Sequence, residues 1–249
     1  MRSFFPGVRY LSHPITHLFS WGLIGIKLVK YVNNNTWINT IGSCIIGMIF
    51  VDLLSALGHW ASEAFRSKKD FRYRPKYIIQ EHHTDVLNYS LMTYGERLSI
   101  GYYFIPLHLM VGYVLNIEGP IVFLMIWSCF IFISHTWSHE VAAGINDNLL
   151  VKGLQRFRIC LPAYVHSRHH FWDTTRWFGF LNGISDYITN PLFVYILPNY
   201  ETFDSSRQKL VFELIRKRKE AFNLTGSLFI PEIDNGLPGQ LHPYCRSSE

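Results

Sequence analysis

The sequence predicts an all-α integral membrane protein: four transmembrane helices with a cytosolic, histidine-rich cap. Three observations carry this. Hydrophobic residues make up 49% of the 249-residue chain and charged residues 16%, against about 25% charged in a typical soluble domain. The apolar residues gather in four stretches, each close to the roughly 20 residues a helix needs to cross a bilayer core. Of the 12 histidines, eight fall in clusters that the topology sorts to one side of those stretches. The same composition excludes a disordered chain. Four scattered cysteines exclude a disulfide scaffold. A diffuse net charge of +5 gives no nucleic-acid footprint.

Residues 1–14 read as a cytosolic N-terminal stub. The first helix spans about 15–32 and carries Lys27 and Lys30 near its end, which must snorkel to the interface. Asn33-Asn34-Asn35-Thr36 is a turn. The second helix, about 37–57, has one charge, Asp52. A basic segment follows, with Arg66, Lys68, Lys69, Arg72, Arg74 and Lys76. The third helix, about 98–117, carries none, and a turn at Asn116–Gly119 leads into the fourth, about 120–139. The membrane domain runs from 15 to 200 and a cytosolic tail from 201 to 249. Within the tail, Ser206–Phe222 has a helical apolar pattern around Arg216-Lys217-Arg218-Lys219. It reads either as a helix on anionic lipid or as a solvated surface helix. The short turns hold no Lys or Arg, so the positive-inside rule places both termini and the central loop in the cytosol. The Asn223-Leu224-Thr225 sequon should therefore stay bare. The membrane is the endoplasmic reticulum in a eukaryote and the inner membrane in a bacterium.

The clustered histidines are His59; His82 with His83; His135 with His139; and His166 with His169 and His170. His135 and His139 stand at i and i+4, and the last cluster at i, i+3 and i+4, so each presents its imidazoles on one helix face. His59 lies at the cytosolic end of helix two, on one stripe with Asp52 and Glu63. Helix four ends at His139 on the same side. All eight can converge at one membrane face. Neutral imidazole is a strong ligand for iron, zinc and copper. Four ligands fill a structural zinc, so eight suit two metal ions with positions left open. No HExxH is present, which speaks against a zinc protease. His13, His17, His108 and His242 are unclustered and read as non-ligands.

These segments, in order, resemble a known family. They are Asp52-Leu53-Leu54-Ser55-Ala56-Leu57-Gly58-His59-Trp60-Ala61-Ser62-Glu63, Glu81-His82-His83-Thr84-Asp85, His135-Thr136-Trp137-Ser138-His139, and Leu161-Pro162 leading to His166-Ser167-Arg168-His169-His170. Over roughly residues 50–190 the chain is similar to the Kua, or plasmanylethanolamine desaturase, family of lipid desaturases. Ala56 stands where that family usually has Gly, Glu63 where it has Asp, and Val86 where a Pro follows the histidine pair. No motif histidine is replaced.

The resemblance implies two iron ions on the eight histidines and O2-dependent desaturation of a phospholipid-bound alkyl or acyl chain, the vinyl-ether bond of plasmalogens included. Glu63 and Asp85 are the candidate catalytic-site carboxylates, read as acceptors that orient ligand imidazoles or as plain surface carboxylates. Arg158, Arg168 and Arg176 read either as positive-inside charges or as phosphate contacts. No haem or flavin segment is visible, so electrons should come from an external donor such as cytochrome b5 or ferredoxin. A lipid hydroxylase using the same site, or a metal-binding membrane regulator or carrier without turnover, are the alternatives. Carriers usually place ionisable groups inside their spans, whereas here the ligands sit at one face.

Overall fold

The computed structural model describes residues 13–64, 87–115, 117, 120–171 and 176–196, with the single tail positions 213, 216, 217 and 220. Every regular element among the described residues is helical. The chain forms two compact units, Met1–Leu54 with Met92–Ile133, and Ser55–Leu91 with Ser134–Glu249.

The first unit begins with α1, Pro14–Asn33. Pro14 opens it because its missing N–H needs no partner in the first turn, and the His13 ring accepts from the Ile15 N–H at 3.3 Å. The asparagine turn closes it, with the Asn35 side chain donating to the Tyr31 carbonyl at 2.8 Å. α2, Trp37–Ala64, starts as expected and runs about two turns beyond residue 57. α5, Ile121–Ala142, similarly matches the fourth predicted helix. Between them lie α3, Tyr94–Tyr102, and α4, Ile105–Val114.

The third predicted span is therefore corrected. Residues 98–117 do not form one helix; the chain breaks at Tyr103–Phe104. Pro106 is the cause. It has no N–H to offer the Tyr102 carbonyl, and its ring would clash there in a continuous helix. α3 also starts before the predicted stretch, at a capping box in which Thr93 and Glu96 bond each other's backbone N–H at 3.2 and 2.8 Å.

Among the described residues, α2 over Trp37–Ala61 and α5 are the two helices long and apolar enough to cross a membrane. α1 has the length, but Lys27 and Lys30 interrupt its apolar run. The outward face of α2 is aliphatic, with Ile38 and Ile46 82% and 69% exposed. Such a face suits lipid better than water. Inside the unit, Ile24, Tyr102, Ile105, Ile121, Met125 and Cys129 belong to one core. Gly101 lets α3 approach α5 closely: a Cβ there would stand 2.3 Å from the Cys129 Cα.

The second unit holds the ends of α2 and α5, then α6 (Leu149–Arg156), α7 (Ala163–Phe171) and α8 (Asp186–Ile196). Asn148 caps α6, accepting from the Leu150 and Val151 N–H groups. Ala56, Phe178 and Phe193 form the core, with Trp60 stacked on Phe193 at 4.9 Å. The basic loop (65–86) and most of the tail lie outside the described residues. At its described positions the tail is helical, and Arg216–Glu220 and Lys217–Glu213 pair one turn apart.

Candidate metal centre

Helical spacing builds the centre from two helices. His135 and His139 are one turn apart on α5, and His166 and His170 one turn apart on α7. The ligand atoms of all four buried residues lie within 4.8 Å of one another. The Nε2 atoms of His166 and His170 are 2.9 Å apart. Ring centroids of His166 stand 4.5 Å from His135 and 4.7 Å from His139.

Beside this set stand His59 from α2 and His169 from α7, with ring centroids 4.6 Å apart and both rings buried. Each is oriented by a backbone carbonyl. His59 Nδ1–H donates to Phe178 O at 3.1 Å, and His169 Nδ1–H donates to Arg176 O at 2.7 Å. A carbonyl can only accept, so in the neutral imidazole the lone pair resides on Nε2, the tautomer a metal requires.

Both carbonyls come from the segment 176–185, which the sequence singled out only for the Arg176 side chain, as a charge or phosphate contact. Its conformation is fixed along its length. Trp177, at φ +67, donates its N–H to the Asn190 side chain at 2.8 Å. Gly179 N–H donates to the buried Asp186 carboxylate at 2.9 Å, and Phe180 N–H to Ser55 Oγ at 3.1 Å. Ser134 Oγ donates to the Leu181 carbonyl while accepting from the Leu161 N–H at 2.7 Å. Gly183 turns the chain at φ +69, with the Asp186 carboxylate packed where a Cβ would go. The Phe180 ring packs tilted against His59 and His135, with centroids 4.3 Å from each, and Phe178 packs edge-on against His59 and tilted against His169. The Asn182-Gly183 pair was the available signal, a turn placed just before a helix-starting Asp.

Six of the eight expected histidines therefore lie in this one unit and are buried together. His82, His83 and Asp85 lie outside the described residues, as does the side chain of Glu63, whose backbone belongs to the last turn of α2. The histidines expected to be non-ligands have other tasks. His13 caps α1, His17 bonds the Tyr102 hydroxyl, and buried His108 bonds Ser128 Oγ at 2.7 Å; His242 lies outside the described residues. Burial pushes the Cys160 thiol up to about 11, so it stays protonated at neutral pH.

The donor set fits a metal. An ion with metal–nitrogen bonds of about 2.1 Å gathers its ligands into a sphere about 4 Å across, and four nitrogens within 4.8 Å need only a small contraction. All-imidazole ligation suits iron, zinc or copper and not magnesium or calcium. No curated protein and no solved structure matches the chain. The family model of the lipid desaturase domain matches residues 48–197, which include every one of these six histidines. With more than half of its length matched, the chain belongs to the lipid desaturase family.

Proposed function

We propose that the protein is a membrane-bound, O2-dependent di-iron desaturase that introduces a double bond into an alkyl or acyl chain of a phospholipid. The observation that supports this best is the division of six buried histidines into a group of four and an adjacent pair. The four suit one ion. His59 and His169 are a half-built second site, which His82 and His83 of the basic loop would complete.

Two hydrogens leave adjacent carbons of the chain, and with O2, two electrons and two protons the products are an alkene and two waters. Iron bound at the centre supplies, with O2, the oxidising power that an unactivated C–H bond demands and that no side-chain acid or base provides. The protein's own groups hold and orient. The carbonyls of Phe178 and Arg176 keep the rings of His59 and His169 aimed. Phe178 and Phe180 shield the imidazoles from water, and the half-buried Phe180 offers an apolar surface to a hydrocarbon chain. Electrons arrive from a separate protein such as cytochrome b5 or ferredoxin.

Topology supports the same reading. α2 and α5 both bring histidines from near their C-terminal ends, so as spans they run in one direction. The chain between them must recross, and α3 with α4 serves for that. In the first unit these two run antiparallel to α5, with Gly101 at Cys129 and Gly112 at Ile121.

Metal analysis of protein expressed with added iron, together with lipid mass spectrometry of a host with and without the chain, tests the proposal. The expected result is close to two irons per chain and a new unsaturated lipid, scored separately for acyl double bonds and vinyl ethers. One tightly held zinc, no iron and an unchanged lipid profile would overturn it.

A further inference from the structure

Arg158 lies in the bend between α6 and α7 at φ +57, a conformation that side chains other than glycine rarely adopt. Its guanidinium lies against the rings of Tyr164 and Tyr187, 5.4 and 6.0 Å from their centroids. Nη2 donates to the Tyr164 hydroxyl at 2.7 Å and to the Tyr187 hydroxyl at 3.4 Å. Nη1 is buried and has no acceptor, and no carboxylate among the described residues pairs with the charge. A half-buried cation with an unmet donor is costly until an anion completes it. The two phenols that accept from Arg158 still have O–H groups to donate.

The surroundings specify the anion. Phe157, next to Arg158, is 76% exposed, and Leu150 on α6 and Ile188 and Leu192 on α8 are exposed large apolar residues. Lys152 and Arg156 are exposed on α6, whose Val151 and Gln155 face inward. A free inorganic anion has no use for the apolar ring, and a hydrocarbon without charge has none for the arginine. A phosphate carried on hydrocarbon chains satisfies both.

We propose that Arg158, with the hydroxyls of Tyr164 and Tyr187, binds the phosphate of a membrane phospholipid whose chains lie along Phe157, Leu150, Ile188 and Leu192. Tyr164 belongs to α7, the helix that carries His166 and His170. Taking the bound lipid as the substrate rests on the desaturase reading; the site itself does not.

The test is native mass spectrometry of detergent-solubilised protein titrated with short-chain phosphatidylethanolamine, with the diacylglycerol of the same chains, and with inorganic phosphate. The variants are Arg158→Asn, because asparagine tolerates positive φ, and Tyr187→Phe, whose ring is 64% exposed. Metal content is read for each as the check on folding. The expected result is saturable phosphatidylethanolamine binding, about tenfold weaker in R158N and about threefold weaker in Y187F, with metal content unchanged. Diacylglycerol should not be retained. Equal affinity in R158N and wild type would overturn the site, as would diacylglycerol binding as tightly as the phospholipid. Inorganic phosphate that displaces the lipid at equal concentration would reduce it to a free-phosphate site and overturn the lipid assignment. Should R158N lose its metal, Y187F decides alone, and undiminished binding there overturns the proposal. Arg158-dependent lipid binding in a protein that makes no double bond would refute the enzyme and uphold the site. Normal desaturation by an R158N protein whose lipid affinity is unchanged would do the reverse.

Discussion

His166 and His170 bring two ring nitrogens to 2.9 Å on one helix face, and His135 and His139 close the same pocket from another helix. On the proposed di-iron reading, each imidazole is one ligand of a set with little redundancy. Changing His59, His135, His139, His166, His169 or His170 to Ala should lower bound metal by at least one ion per chain and abolish double-bond formation, with membrane insertion unchanged. Elemental analysis, lipid mass spectrometry and a membrane-fraction blot check the three parts; full activity in two of the six would refute the ligand assignment. His108 is the contrast. Its bond to Ser128 is buried in the first unit, so His108→Ala should keep the metal and lose about 1–3 kcal/mol of stability, read as a lower melting temperature in detergent. The clustering of these histidines was legible because helical spacing is visible in one chain: i, i+3 and i+4 put them on one face. The carbonyls of Phe178 and Arg176 were not, since any residue supplies a carbonyl and only the folded path aims it. Phe180 was hidden for the same reason, being one apolar aromatic among many until the chain places it on His59 and His135.

The elements give two further predictions. Gly101→Ala places a Cβ 2.3 Å from the Cys129 Cα and 2.5 Å from the Ser128 carbonyl oxygen, both backbone atoms that cannot step aside. It should destabilise the protein by about 3 kcal/mol or more. Gly153→Ala, on α6 with nothing within 4 Å, should stabilise by about 0.5–1 kcal/mol. Melting curves of the two variants should move in opposite directions, and a shift in the same direction would contradict the α3–α5 packing. The segment 176–185 is testable through Asp186. Asp186→Ala removes the acceptor of the Gly179 N–H and should loosen the carbonyls that aim His59 and His169. Metal loss to a chelator should become faster, while Asp186→Asn, which keeps the acceptor oxygen, should stay near wild type. Helices α1, α2 and α5 were legible to within a few residues at their starts, because His13-Pro14, Thr36 and Pro120 are strong local signals. The third span was misread because hydropathy runs unbroken from 98 to 117, while one proline decides where hydrogen bonding stops.

For the whole molecule the prediction concerns sidedness. α2 and α5 end in the unit that holds the histidines, and the basic residues Arg66, Lys68, Lys69, Arg72, Arg74 and Lys76 follow α2 directly. The turn between α1 and α2 carries no Lys or Arg. If α2 and α5 span the bilayer, the charge rule puts the metal centre on the cytosolic side and the turn at residues 34–36 on the other. The chain carries a natural reporter on each side. Asn34-Asn35-Thr36 and Asn223-Leu224-Thr225 both satisfy the glycosylation sequon. The first is pressed between two helix ends, so it needs a Gly/Ser insertion after Thr36 to stand clear of the headgroups. In a microsomal translation assay, the lengthened turn should be glycosylated at Asn34 and the tail should stay bare at Asn223. Replacing each asparagine by glutamine identifies which site accounts for the gel shift. A glycan on Asn223 would put the tail in the lumen. It would reverse the charge argument and place the histidine cluster on the opposite side of the membrane.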